Sequence, residues 1–205
     1  MVTILDLNSG NIGSVQNMLH RLEVETSVTN SANALAKASR IIIPGVGVFG
    51  DATRKLDVIK GLRSTLKNLS QQRRVPILGI CLGMQLLFEK SEEGEGAGLG
   101  LIEGEVNRIP ASGLKVPHMG WNNLKITKED PIFYNFDQRS RFYFVHSFAV
   151  RPKSNRVVLA RTEYGDSFCS VAKYRNIYGV QFHPEKSHRY GMQLLKNVCE
   201  IPNAA

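Results

Sequence analysis

Cys81 is the residue of the chain whose surroundings best suit a chemical nucleophile. It follows an apolar run at residues 77–80 and stands between Gly79 and Gly83, at the start of a helix-like stretch. Glycines at these positions permit the sharp strand-to-helix turn of a nucleophile elbow, because side chains there would collide. A helix that starts beside the sulfur favours the thiolate, which is the attacking species. The backbone N–H of Leu82 would then be available to stabilise an oxyanion.

His183 is the histidine whose context best suits a general base. It ends an apolar run at residues 178–182 and is followed by Pro184 and Glu185. Because Pro184 cannot extend a sheet ladder, the chain should turn there and present the imidazole, with Glu185 close enough to bond its second ring nitrogen. Taken alone, the same pattern also describes a hydrogen-bonded histidine at the end of a strand. We interpret two histidines as surface residues and keep two as secondary candidates: His20 and His188, and His118 and His146.

The first hundred residues predict an α/β arrangement that would position these side chains. Apolar runs at residues 2–7, 41–43 and 77–80 are typical of buried parallel strands. Apolar residues at helical spacing indicate one helix near Ser14, which we take as its N-cap, and another through positions 58–69. Strands that alternate with helices predict a parallel sheet with crossover helices.

The second half of the chain is richer in short β runs and ends in an amphipathic helix near residues 190–198. The β runs, which predict antiparallel hairpins, lie at residues 142–148, 157–161, 168–172 and 177–182. The predicted fold class is therefore α/β, with a central mixed, mostly parallel sheet flanked by helices and antiparallel additions in the second half. We expect a single domain over residues 1–205.

Composition excludes several classes of protein. With 42% hydrophobic and 21% charged residues, the chain has the composition of a globular protein, not of a disordered one. It contains neither a membrane-length apolar run nor a signal peptide, and its net charge of +8 comes without a nucleic-acid-binding motif, so we expect neither a membrane nor a nucleic acid as partner. Three scattered cysteines predict a reducing cytoplasm and no metal site. We interpret Cys169 and Cys199 as small buried residues.

Two motifs, Gly-Ile-Cys-Leu-Gly-Met-Gln at residues 79–85 and Gly-Val-Gln-Phe-His-Pro-Glu-Lys-Ser at 179–187, together resemble the class I, or triad-type, glutamine amidotransferases. The resemblance covers essentially the whole chain and implies the flavodoxin-like fold of that family. It also implies that Cys81 attacks the side-chain amide of glutamine, that His183 transfers protons and that Glu185 orients the imidazole. This chemistry requires no metal ion and no organic cofactor.

The same resemblance implies two sets of residues around the substrate. The implied oxyanion hole comprises Val46, Gly47 and Leu82. The implied glutamine-binding residues are Gln85, Glu93, Tyr143, His146 and Ser147. Both assignments stay open at two points, because residues 44–47 also suit a plain turn after a strand and the sequence around Glu93 also suits a solvated acidic loop.

Two further segments, at residues 44–51 and 117–122, resemble the glutaminase subunit of imidazole glycerol phosphate synthase, which implies that ammonia passes to a separate (β/α)8 cyclase. The implied interface consists of Pro117, Met119, Gly120, Trp121 and Lys186. We expect residues 117–122 to form a loop, although a lone tryptophan is also a common core residue. Because residues 6–13 depart from the Asp-Tyr-Gly start of many relatives, the alternative partner is an ATP-dependent amidotransferase of a surface-polysaccharide sugar. The sequence also leaves room for a non-catalytic module or a free-standing cysteine hydrolase.

Overall fold

The β-strands of the computed structural model, which describes residues 1–73, 75–110 and 113–202, form three sheets. In chain order the strands are β1 Val2–Leu5, β2 Thr26–Thr29, β3 Ile41–Gly45, β4 Ile77–Cys81, β5 Lys90–Ser91, β6 Gly104–Arg108, β7 His118–Asn123, β8 Lys125–Ile126, β9 Arg141–His146, β10 Phe148–Pro152, β11 Val158–Tyr164, β12 Asp166–Tyr174 and β13 Ile177–Val180. The central sheet has eight strands in the order β2-β1-β3-β4-β13-β12-β11-β8. In this order, the first five strands, β2 to β13, are parallel to one another, and each of the last three pairs antiparallel with the strand before it. This arrangement confirms the predicted mixed sheet.

Helices cover both faces of the central sheet and enclose two apolar cores. The helices are α1 Ile12–Arg21, α2 Ala32–Leu35, α3 Phe49–Val58, α4 Leu62–Gln71, α5 Leu82–Leu86 and α6 His188–Glu200. Ile41 and Ile43 of β3 join the core that contains the apolar residues of α3, α4 and α5, whereas Ile42 joins the core of α1 and α6. A strand buried on both faces needs an unbroken apolar run, and such a run is present in the sequence. None of the helices in the described part of the chain is long and apolar enough to cross a membrane.

Outside the central sheet, β7 and β9 form an antiparallel ribbon with two different faces, and β10, β6 and β5 form a small third sheet. His118, Phe144 and His146 are buried on the inner face of the ribbon, whereas Met119 and Trp121 are 61% and 44% exposed on its outer face. The prediction of a loop at residues 117–122 was therefore wrong for most of the segment. Its inward positions carry histidine, glycine and asparagine, so the apolar alternation that indicates a strand is missing.

The helix predicted through positions 58–69 is in fact two helices. α3 ends at Val58, whose side chain is 83% exposed, and α4 begins at Leu62. Between them Gly61 has a φ of 79°, a left-handed conformation that interrupts a right-handed helix. The regular apolar spacing thus continued by chance across a turn.

Two smaller predictions were also wrong. Ser14 is not an N-cap but lies inside α1, where its hydroxyl donates a hydrogen bond of 2.8 Å to the side chain of the preceding cap residue, Asn11. The apolar run at residues 142–148 is divided between β9 and β10, with Ser147 at the break. The break lets each half pair with a different strand, β7 for the first half and β6 for the second.

Candidate active site

β4 ends at Cys81 in a conformation that few residues other than glycine adopt, with φ 53° and ψ −109°. The neighbouring glycines are required by space: a Cβ on Gly79 would lie 2.5 Å from the Gly83 carbonyl oxygen, and one on Gly83 would lie 1.8 Å from that of Ile43. Such strain costs about 1–3 kcal/mol and is typical of functional sites. The turn from β4 into α5 thus has the geometry of a nucleophile elbow, with the sulfur at its apex.

His183 and Glu185 form a buried ion pair beyond the end of β13. Nδ1 of His183 lies 2.7 Å from Oε1 of Glu185, and the two side chains are only 1% and 2% exposed. Pro184 starts a 3-10 turn at Pro184–Lys186, which brings the carboxylate back beneath the imidazole. Nε2 of His183 has no hydrogen-bond partner among the described residues, so it is free for a reacting group in the cavity.

The electrostatic surroundings of His183 favour its protonated form. Burial lowers the pKa of the imidazole, but the Cys81 and Glu185 side chains beside it raise the pKa by more, to well above the ordinary value for histidine. A histidine that stays protonated beside a cysteine supplies the counter-charge that a thiolate needs. By contrast, burial raises the pKa of the Cys169 thiol to about 12.

Cys81 and His183 open into a cavity of about 380 Å³. Its lining includes most of the site residues expected from the sequence: Val46, Gly47, Cys81, Leu82, Gln85, Glu93, His146, Ser147, His183 and Lys186, together with Val145 and Phe148. A larger cleft of about 600 Å³ beside β12 has no cysteine or histidine among its described lining residues. Chemistry, not size, therefore identifies the candidate site.

The expected oxyanion-hole residues meet at one side of this cavity. The pairing of Gly45 with Cys81 between β3 and β4 places Val46 and Gly47 directly beside the elbow, opposite Leu82 at the start of α5. Gly47 has a φ of 111°, which glycine adopts without strain. Backbone N–H groups can therefore approach the reacting carbon from two sides, which suits an oxyanion hole.

Two polar side chains expected to bind substrate line the same cavity and are already held by the protein. The Gln85 side-chain amide donates to the Phe148 carbonyl oxygen at 3.0 Å. Oε2 of Glu93 accepts from the Phe49 N–H at 3.1 Å, at the start of α3. Burial raises the pKa of Glu93, and this hydrogen bond offsets only part of the effect. A cation that entered the cavity would offset the cost of burying this carboxylate.

Tyr143 does not line the cavity, although the sequence suggested it as a substrate-binding residue. Its backbone holds His183 instead: the Tyr143 carbonyl oxygen accepts from the His183 N–H at 2.9 Å. The buried Ser187 hydroxyl accepts from the Tyr143 N–H at 3.0 Å and donates to the His183 carbonyl oxygen at 2.6 Å. The sequence reasoning missed this role of Ser187, because it depends on a contact between residues 44 positions apart.

His146 and His118 form a second histidine pair on the inner face of the ribbon. Nδ1 of His118 lies 3.1 Å from Nε2 of His146. Burial lowers the pKa of His118 to about 4 and that of His146 to about 3. Both imidazoles are therefore neutral near pH 7. In the described part of the chain, no group of His, Cys, Asp and Glu side chains is arranged to hold a metal ion.

Of the residues expected at a partner interface, Lys186 lines the cavity, and the others lie on β7 or just before it: Pro117, Met119, Gly120 and Trp121. We call the exposed set Pro117, Met119, Trp121 and Lys186 the docking surface. Its aromatic part is ordered by stacking: the Trp121 ring lies 5.3 Å from the His188 ring and nearly parallel to it. Lys186 Nζ lies 5.6 Å from the Tyr143 ring centroid, and Lys186 also lines the cavity. His188 is thus a surface residue, as expected, but one that supports Trp121.

Comparisons with known proteins agree with this geometry. Residues 3–201 match the family described as glutamine amidotransferase class-I. The chain is 46% identical to the imidazole glycerol phosphate synthase subunit HisH of Moorella thermoacetica over 201 residues, which are 98% of this chain and 94% of that protein. It is 43% identical to the subunit of the same name from Methanocaldococcus jannaschii, over 98% of this chain and all of that protein. The resemblance found in the sequence is thereby confirmed.

Solved structures share the fold at low sequence identity. A crystal structure of a glutamine amidotransferase superposes with a TM-score of 0.73 at 20% identity, over 97% of this chain and 98% of that one. A chain from the structure of PurLQS of Thermotoga maritima gives a TM-score of 0.72 at 18% identity, over 97% and 96% of the two chains. At this level of identity the likeness concerns the fold alone.

Proposed function

This chain belongs to the class I glutamine amidotransferases, and on that premise we propose that it is the glutaminase subunit of an imidazole glycerol phosphate synthase. It hydrolyses L-glutamine to L-glutamate and ammonia. The observation that carries the proposal is the cavity in which the strained Cys81 and the buried pair of His183 and Glu185 meet. The near full-length identity of 43–46% to synthase subunits supports the choice of synthase.

The reaction proceeds in two halves. The Cys81 thiolate attacks the side-chain amide carbon of glutamine, and N–H groups of Leu82 and of residues 46–47 stabilise the oxyanion. As the intermediate collapses, His183 donates its Nε2 proton to the departing nitrogen, which leaves as ammonia. The acyl group remains bound to Cys81 as a thioester. His183 then takes a proton from water, which attacks the thioester and releases glutamate. Glu185 keeps Nε2 pointed at the reacting atoms throughout.

The other cavity residues hold the substrate. Glu93 pairs with the α-ammonium group of glutamine, which offsets the burial of its carboxylate. Gln85 and the backbone at His146 and Ser147 complete the pocket. None of these steps calls for a metal or organic cofactor. The nucleophile must stay a free thiol, as it is here, which suits a reducing cytoplasm.

The ammonia passes to a partner that binds at the docking surface. The partner we propose is a (β/α)8 cyclase, which uses ammonia to form imidazole glycerol phosphate and an aminoimidazole carboxamide ribonucleotide. The docking surface supports this because Lys186 belongs to both the surface and the cavity. Ammonia released at Cys81 therefore has a short route to a protein seated there.

Replacement of the nucleophile tests the chemistry. In the complex with the cyclase, Cys81→Ala is expected to reduce glutamine-dependent synthesis by about a thousandfold or more, because the covalent route is lost. Synthesis from added ammonium salt should survive. The matched control is Cys169→Ala, which removes a thiol that burial keeps protonated and should leave both activities near wild type.

Either of two results would contradict the proposal. Loss of ammonium-dependent synthesis in Cys81→Ala would mean that the residue is structural. Glutamine-dependent synthesis that survives in Cys81→Ala would mean that another group is the nucleophile.

Replacement of the exposed tryptophan tests the partner surface. Trp121→Ala should weaken binding of the cyclase by about tenfold to a hundredfold, since buried tryptophans dominate many interfaces. Isothermal titration of the two subunits measures the change. Tyr174→Ala is the matched control, because Tyr174 is a similarly exposed aromatic residue on a different strand, β12. Equal binding by Trp121→Ala and wild type would contradict the proposed docking surface. Co-purification of the chain with a sugar amidotransferase in place of a cyclase would contradict the proposed partner.

A further inference from the structure

The sulfur of Cys81 has a hydrogen-bond donor that the mechanism above does not use. Nε2 of Gln181 lies 3.6 Å from Cys81 Sγ, a normal distance for a bond to sulfur, and the Gln181 side chain is fully buried. A thiol in this place has another partner, the Val145 carbonyl oxygen at 4.0 Å, to which it would donate. The thiolate can only accept, and as an anion it gains more from the Gln181 N–H than the neutral thiol, which is a weak acceptor.

The orientation of the Gln181 amide follows from its neighbours. The Phe148 carbonyl oxygen carries no hydrogen, so Gln85 must present its amide nitrogen there, at 3.0 Å. The same nitrogen lies 3.3 Å from Oε1 of Gln181. If the Gln181 amide were flipped, two N–H groups would face each other without an acceptor. Gln181 must therefore turn its oxygen to Gln85 and its nitrogen to the sulfur.

A second arm of hydrogen bonds starts at the same Phe148 carbonyl oxygen. It accepts from Nδ1 of His146 at 2.9 Å, which leaves Nε2 of His146 as an acceptor for Nδ1 of His118. Nε2 of His118 then accepts from the Asn122 side chain at 3.3 Å. Asn122 lies on β7, the strand that carries Met119 and Trp121 of the docking surface, and it also donates to the Glu163 carbonyl oxygen at 2.9 Å.

We propose that Gln181 is a positioning residue whose side-chain N–H stabilises the Cys81 thiolate. Its amide is oriented by Gln85, which is fixed in turn by the Phe148 carbonyl oxygen, the acceptor shared with the arm of His146, His118 and Asn122. Because the Phe148 carbonyl oxygen can only accept, it fixes the donor direction of every link in both arms, and neither the Gln181 amide nor the two histidine tautomers are left open to choice. The inference rests on the proposed function only for the identity of the group that the thiolate attacks.

The test is the pH dependence of Cys81 alkylation in the full chain. Wild type and Gln181→Met are treated with iodoacetamide across a pH series, and mass spectrometry of the Cys81 peptide separates its reaction from that of the other cysteines. Loss of one hydrogen bond to an anion should raise the midpoint of the alkylation curve by about one pH unit and slow the reaction near pH 7 by about tenfold. Gln181→Glu, which keeps the shape but lacks the N–H donor, should raise the midpoint at least as far.

The matched control is Asn197→Leu. Asn197 is another buried amide, which donates to two backbone carbonyl oxygens remote from the sulfur. It should lower stability and leave the midpoint in place. An equal shift in this control, or an unshifted midpoint in folded Gln181→Met and Gln181→Glu, would overturn the proposal.

A variant that does not alter Gln181 covers the case in which Gln181→Met and Gln181→Glu fail to fold. Gln85→Met removes the donor that fixes the Gln181 amide, and it should raise the midpoint by a smaller amount than Gln181→Met. An unchanged midpoint there would overturn the proposal equally. Alkylation requires no glutamine, so this outcome is independent of whether Cys81→Ala abolishes glutamine-dependent synthesis.

Discussion

His183 and His146 are both buried and line one cavity, yet their pKa values move in opposite directions. Nδ1 of His183 faces the Glu185 carboxylate at 2.7 Å, whereas Nδ1 of His146 faces the Phe148 carbonyl oxygen at 2.9 Å. Burial lowers the pKa of both. At His183 the Cys81 and Glu185 side chains outweigh the effect of burial, and at His146 the neutral carbonyl does not.

The two environments therefore give the same type of side chain two different protonation states. In the proposed mechanism, the carboxylate partner lets the imidazole hold a proton until the leaving nitrogen takes it. A carbonyl partner fixes the tautomer just as firmly but keeps the ring neutral, which suits an element of a hydrogen-bond network. The cavity thus contains one group that can protonate the departing nitrogen in the proposed mechanism and another that cannot compete for that proton.

Replacement of Glu185 is the most direct test of this contrast between His183 and His146. Glu185→Gln keeps the shape of the side chain and removes its charge. The pKa of His183 should therefore fall toward the low value of a buried histidine that has no charged partner. We expect kcat/KM for glutamine to fall by about a hundredfold or more. The imidazolium also loses its proton at lower pH, so the alkaline limb of the kcat/KM profile should move to lower pH. Steady-state kinetics of the synthase complex across pH measure both effects.

His183→Ala gives the reference for this prediction. Deletion of the base should cost more than its misorientation, on the order of ten-thousandfold in kcat/KM. Glu103→Gln is the matched control, because it changes an exposed glutamate whose side chain pairs with the exposed Lys153. If Glu185→Gln cost as much as His183→Ala without a shift in pH profile, the carboxylate would act structurally and the contrast with His146 would not explain the site.

Part of this site could be predicted from the sequence. The glycines around Cys81 and the proline after His183 act locally, through collisions and missing donors within a few residues, and local patterns reveal such effects. The apolar runs revealed the buried strands for the same reason. The predicted neighbourhood of Val46, Gly47 and Glu93 came instead from resemblance to a family.

The remainder depends on contacts that local patterns do not contain. His118 and His146 meet only because β7 and β9 pair across 28 positions, and Gln181 reaches Cys81 across 100. A glutamine in the apolar run before His183 was nevertheless a signal, since a polar residue in a buried strand needs partners. The direction of each hydrogen bond emerges only when the whole network is known.

The smallest expected effect concerns the pH dependence of stability and arises at His118, the partner of His146. The pKa of His118 is lowered from an unfolded value near 6.5 to about 4, so between these pH values the unfolded chain binds the proton more readily. Stability present above about pH 6.5 is therefore lost as the pH falls toward 4.

His118→Gln, which cannot be protonated, should reduce the loss measured by urea unfolding between about pH 7 and pH 5 by about 1 kcal/mol. His20→Gln, at an exposed histidine on α1, should leave the loss unchanged. Parallel pH curves for His118→Gln and wild type would mean that the buried pair carries a proton in the folded protein, which its hydrogen-bond directions do not allow.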